Sequence, residues 1–177
     1  MRISFSFNNM TSKPKWDAFV NENFINKPKG KNAKWFTRSE LEDTIERYNA
    51  KKKYIDELEK RKKELGVAIL KTIPEDLIHL KEEATTAGPI DVTRYRVEYT
   101  KENKATLYQR GRDSEYSSIA PIEDSYQLLM EIHLELDHCS GKKMHEYVKM
   151  NRLYSYPSNL IKKFPFYCSQ CRSYMNH

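Results

Sequence analysis

The chain has 177 residues, 38% hydrophobic and 32% charged, which allows one ordinary domain or two small ones and is lean for a single large core. Its net charge of +6 permits nucleic-acid binding but serves plain solubility equally well. Three cysteines are too few for a disulfide framework and fit a reducing, intracellular compartment; no apolar run is long enough to span a bilayer, and Met1 to Met10 lacks the apolar stretch of a secretion signal.

Residues 1–36 read as a polar, basic N-terminal segment around isolated aromatics: Trp16, Phe19, Phe24, Trp35 and Phe36. Asp17 to Phe24 has room for one or two amphipathic turns. The basic stretch 27–31 is a turn or linker, and the segment suits a plain tail better than a DNA-contacting arm. Region 37–84 is expected to be helical. Thr37-Arg38-Ser39-Glu40 has the capping-box form and predicts a helix from Ser39 to about Leu65, stopped by Gly66. Leu41, Ile45, Tyr48, Ile55, Leu58 and Leu65 mark an apolar stripe that Lys51, Lys52 and Lys62 interrupt, so a solvated helix with at most one partner helix is expected. Val67 to Leu70 is a short apolar run. Pro74 then opens a short helix through Leu80, with His79 on its apolar face. Region 85–118 is a linker followed by a β-hairpin. Tyr95, Val97 and Tyr99 alternate with Arg94, Arg96 and Glu98, Lys101 to Asn103 turns the chain, and Ala105 to Arg110 returns it. Gly111 to Ser118 reads as a loop, and Ile119 and Ile122 as a short strand before the next helix.

Region 119–177 carries the sharpest signal. A helix is expected from Glu123 to Leu136, with His133 at its end and His138 just beyond, able to converge if the chain turns near Asp137. A second helix runs from Lys142 to Leu153, and a third from Ser158, its N-cap, to Phe164. Cys168-Ser169-Gln170-Cys171 follows. His133, His138, Cys168 and Cys171 are the ligand set of one closed, structural Zn2+ site, because two thiolates offset the metal charge and two neutral imidazoles complete the shell. Such an ion contributes on the order of 10 kcal/mol to a fold this small. Taken singly, a histidine at a helix end is ordinarily surface or core, and a lone CxxC also suits a thiol redox pair. Cys139 adjoins His138 too closely to share the same metal easily, His145 is expected to face outward, and His177 is not needed. The expected fold is mainly α: a long N-terminal helix, a small β-hairpin and a compact three-helix, zinc-stapled unit.

The four ligands and their spacing resemble the HHCC zinc-binding domain of retroviral and retrotransposon integrases. Ser140 to Met144 sits where that family has a glycine-containing turn and a helix start, and Tyr154 to Phe164 where it has an aromatic stretch and a helix leading to the first cysteine. The Tyr/Arg-rich hairpin and the helix entering His133 look like the pre-zinc region of integrase-derived proteins of the KRAB-A domain-containing protein 2 group. Asp137 stands where the family often has glycine, and Pro165 falls inside the usual third helix. The resemblance implies DNA binding with little sequence preference, self-association or a helix partner, and the nucleus. The integrase catalytic triad lies on a domain after the CxxC, and the residues following Cys171 are too few for it, so no catalysis is expected. No membrane and no small-molecule substrate are expected either. Lys142, Lys143, Lys149, Arg152, Lys162 and Lys163 are the candidates for phosphate contacts, with ordinary solubility as their equal alternative. Three other readings stay open: a protein-interaction module using Tyr147 and Tyr154, the leading piece of a longer integrase, and a thiol redox protein.

Overall fold

The computed structural model describes residues 13–26, 35–66, 72–111 and 113–175. Met1 to Met10, the basic stretch 27–31 and the apolar run Val67 to Leu70 lie outside the described residues. The elements in chain order are helices α1 (Lys13–Val20), α2 (Arg38–Leu65) and α3 (Ile78–Thr86), strands β1 (Tyr95–Tyr99), β2 (Ala105–Arg110) and β3 (Tyr116–Ser118), then helices α4 (Ser125–Glu135), α5 (Gly141–Met150), α6 (Ser158–Lys163) and α7 (Ser169–Met175). The fold is mostly helical with one small antiparallel sheet, as expected. No described helix is long and apolar enough to cross a membrane. The chain divides into two compact units, residues 39–118 and residues 1–38 together with 119–177.

In the unit 39–118, α2 starts one residue before the expected position, leaving Thr37 at the cap, and stops before Gly66, whose φ of 63° suits glycine. Only Tyr48 and Ala50 of α2 are buried, and Leu65 remains 58% exposed, so the helix is solvated. Its cations are matched along the helix: Arg47 pairs with Asp43 at 2.6 Å, Lys62 with Glu59 at 2.7 Å, and Lys52 with Asp56. Arg61 pairs with Asp76, and Lys53 reaches Glu83 of α3 at 3.5 Å. Pro74 caps a 3-10 turn, Glu75–Leu77, before α3 begins. That turn sets the phase of the helix, so Leu77, Leu80 and Ala84 are buried and His79 is exposed rather than apolar-facing. The helix also runs two residues into the stretch from Thr85 that composition marks as a linker.

The hairpin has the expected strands, with Val97 opposite the fully buried Leu107. A third strand extends it. Tyr116–Ser118 pairs with β2 where a loop was expected, and neither Ile119 nor Ile122 forms a strand. The polar text of β3 carries no apolar alternation. It is held by ladder bonds and by Arg96, whose guanidinium lies 4.7 Å from the Tyr116 ring and 5.3 Å from that of Tyr108.

The second unit joins the chain's beginning to its end. Trp16 of α1 is wholly buried, donates its indole N–H to Ser125 Oγ at 3.0 Å, and meets the edges of Phe164 and Tyr167 at 5.1 and 5.0 Å. Val20 and Phe24, the latter in a π-helical turn (Asn21–Ile25), are buried with it. One face of the supposed tail, Trp16, Val20 and Phe24, is therefore core. Phe36 bridges to Pro121, and its carbonyl accepts from Ile122 N at 2.8 Å. Arg38 donates its backbone N–H to the Glu123 carboxylate at 3.0 Å and pairs with Asp124 at 2.6 Å.

Three helix boundaries differ from expectation. A 3-10 turn, Ile122–Asp124, precedes α4. Helix α5 stops at Met150, before Leu153. Ser158 is the first residue of α6, with Pro157 at the cap position. Pro165 ends α6 as expected and passes the chain into a 3-10 turn, Phe164–Tyr167. Gly141 lies where the start of α5 meets the end of α6. A Cβ there would sit 2.1 Å from the Lys162 carbonyl oxygen, so no other residue fits without moving backbone. Trp16→Ala is expected to destabilise this unit by about 3–5 kcal/mol, where a tail residue would cost nothing. Urea denaturation followed by fluorescence of Trp35, in the same unit, checks it.

Candidate metal centre

His133 and His138 meet because of how α4 ends. His138 N donates to His133 O at 2.8 Å and Asp137 N to Leu134 O at 3.1 Å. These are the paired bonds of a Schellman motif, with Asp137 in the left-handed position at φ 51°. The motif sets the side chains at its two outer positions against each other, and here both are histidines. Their rings lie 4.9 Å apart, edge to face. His138 is itself left-handed at φ 57°, which turns the chain away towards α5.

Cys168 and Cys171 meet because of how α7 begins. Cys168 is extended (φ −75°, ψ 124°), and its carbonyl accepts from Arg172 N at 3.0 Å, the first bond of α7. It therefore holds the N-cap position and Cys171 the third helical position, two sites whose side chains share one side of a helix start. Helix α7 itself is not among the elements that the sequence announces after Phe164.

The four side chains converge as expected. One ligand atom from each of His133, His138, Cys168 and Cys171 lies within 4.8 Å of all the others, and the group could hold a metal ion. His133 Nε2 is 3.1 Å from Cys171 Sγ, and His138 Nδ1 is 3.4 Å from Cys168 Sγ and 3.6 Å from Cys171 Sγ. His133 and Cys168 are buried, and the other two are half-buried. Burial, and then the charge of His138, push the His133 pKa down to about 4, so the imidazole is neutral at pH 7 with a lone pair to give. Burial and the neighbouring Cys168 push the Cys171 thiol up to about 11. A cation is what would favour its thiolate. His133 Nδ1 is buried without a hydrogen-bond partner, and the ring rests edge-on against Phe164 at 5.8 Å instead. Cys139 is outside the cluster, its Sγ 3.5 Å from Ser140 O, and His145 is half-buried on α5 rather than facing out.

The six candidate cations are all exposed. Lys142 and Lys143 sit in the first turn of α5, Lys149 in its last, and Lys162 and Lys163 at the end of α6. Arg152 is past α5, in a left-handed conformation at φ 50°. Among the described residues none of the five lysines is in an ion pair. Lys163 lies 5.3 Å over the Phe19 ring. Tyr147 and Tyr154, expected as exposed binding positions, are half-buried against the core, and Tyr147 donates to Glu135 at 2.7 Å. Among the described residues, Met150 and Phe166 are the exposed large apolar side chains of this unit, at 80% and 60%.

No family model, curated protein or solved structure matches the chain. The site is therefore read from its own chemistry.

Two outcomes test this geometry. Asp137→Val, a β-branched residue forced to positive φ, is expected to cost about 1–2 kcal/mol and to weaken metal binding, while Asp137→Gly leaves both unchanged or improved. Denaturation midpoints and a metal titration distinguish them. The depressed His133 pKa also fixes a pH window. Above pH 6.5 both folded and unfolded chains carry the neutral ring. As pH falls towards about 4 the unfolded chain takes a proton that the folded one refuses. In the metal-free chain, the stability that rests on His133 is thus present above pH 6.5 and is lost as pH falls towards about 4. Tryptophan-monitored unfolding at pH 7, 5.5 and 4 measures the fall.

Proposed function

We propose that this chain is a non-catalytic zinc module that binds nucleic acid through the phosphate backbone. The reading rests on one observation: an N2S2 cluster flanked on both sides by unpaired lysines. An ideal tetrahedral zinc site has N···S edges of about 3.6 Å, given bond lengths near 2.0 and 2.3 Å. The three N···S separations of 3.1, 3.4 and 3.6 Å support that geometry. Zinc would be held by His133 Nε2, His138 Nδ1, Cys168 Sγ and Cys171 Sγ, and would tie the end of α4 to the start of α7. Four protein ligands fill a tetrahedral shell, which leaves no position for an activated water and favours a structural role. The same ligand set is what resembles the integrase HHCC domain.

The charge pattern supports a polyanion partner and points to its place. Lys142 and Lys143 follow His138 within five residues, and Lys162 and Lys163 precede Cys168 within six. On α2 the comparable lysine runs are largely matched by carboxylates, so α5 and α6 are the better site. A second reading is self-association through the exposed Met150 and Phe166.

The full chain is expected to carry one zinc, and Cys168→Ala or chelation to release it with loss of helicity. Anisotropy titrations of a labelled duplex at two salt concentrations test the partner. Neutralising Lys142, Lys143, Lys162 and Lys163 to glutamine should weaken binding and flatten the log–log salt slope by about 0.9 for each phosphate that is no longer neutralised. A mass that rises with concentration, with no affinity for the duplex, would instead establish the second reading.

A further inference from the structure

Across residues 141–168, six cations stand against one carboxylate, Glu146, and among them is an imidazole that the zinc reading leaves unused. His145 follows Lys142 by three positions and precedes Lys149 by four, so the three share one side of α5. The end of α6 runs beside the start of that helix, where Gly141 touches the Lys162 backbone. His145 is half-buried there, and neither ring nitrogen has a hydrogen-bond partner among the described residues. The charges acting on it are Lys162 from α6, and Lys149 and Glu146 from α5. A structural histidine would be expected to hold a carbonyl or a carboxylate. Two of the three charges acting on this one are ammonium groups. Burial first, then Lys162 and Lys149, hold its pKa below the ordinary value, so it is a neutral ring in a positive setting at pH 7.

We propose that His145 is a proton-linked contact in an anion-binding face formed with Lys142, Lys149 and Lys162. A phosphodiester seated there brings the negative charge that the imidazole lacks. The ring takes one proton from solvent and gives the phosphate a second, charge-assisted donor beside the ammonium groups. Binding and protonation then favour each other. Affinity rises as pH falls through the bound-state pKa and levels off below the free-state pKa. The proposal rests on the polyanion reading above and adds to it a residue and a proton.

The test uses the full zinc-loaded chain and a labelled DNA duplex at fixed ionic strength. Affinity is expected to rise about fivefold from pH 8.0 to 6.5. In His145→Gln the profile should be flat across this range. Calorimetry at pH 7.0 in two buffers of different protonation enthalpy should show proton uptake by the native chain and none by the variant. A pH-independent native chain, or a variant that keeps the full dependence and the proton uptake, would overturn the proposal. Duplex binding that responds to salt and to the lysine substitutions but takes up no proton would sink this inference alone. No duplex binding at either pH would sink it together with the polyanion reading.

Discussion

The reversal of the chain at the end of α4 is the constraint on which the centre depends. A helix that closes with a Schellman motif sets two side chains, five residues apart, against each other. Among the described residues the fold uses that device at the ends of both α4 and α5. At the end of α5, Leu153 N bonds to Val148 O at 3.1 Å and Arg152 N to Lys149 O at 3.3 Å. The paired positions there are Val148 and Leu153, an ordinary apolar contact sealing the core. At the end of α4 the same positions are His133 and His138. A pair able to chelate a metal ion thus occupies the place of a hydrophobic one, and the start of α7 brings Cys168 and Cys171 to it.

The remaining elements of the unit hold those two helix ends face to face. Trp16 packs on Phe164, and Phe164 packs on His133, so α1 supports His133 through Phe164. Gly141 lets α5 and α6 approach until backbone meets backbone. Neither helix is long, and α6 gives way at Pro165, yet the 3-10 turn that follows is what delivers Cys168 to its cap position.

Features legible in the sequence were local ones. The ligand spacing, the start and stop of α2, the two hairpin strands and the break at Pro165 each depend on residues within a few positions of one another. What could not be read was set by distant partners. Trp16 and Ser125 are 109 positions apart, and nothing around Trp16 distinguishes a buried indole from a stray aromatic in a basic tail. Strand β3 carries no apolar alternation, because its one ring, Tyr116, is covered by Arg96 rather than by an apolar layer. The lysine runs of α2 and of α5–α6 looked alike as composition. Only the placed carboxylates, such as Asp43, Asp56 and Glu59, show that one set is matched and the other is not.

The second unit is made from two separated pieces of chain, with residues 39–118 leaving and returning between them. Closing such an excursion costs little more as it lengthens, about 0.6 kcal/mol for each doubling. The cost appears instead as delay. During synthesis α1 emerges long before α4 to α7 exist to receive Trp16, while residues 39–118 can already fold from neighbours close in sequence. A fragment starting at Ile119 would lack the indole that covers Phe164. The intervening unit leaves at Arg38 and returns at Ile119, beside the bridge between Phe36 and Pro121, so a change in its length adds only loop-closure entropy to the unit it interrupts.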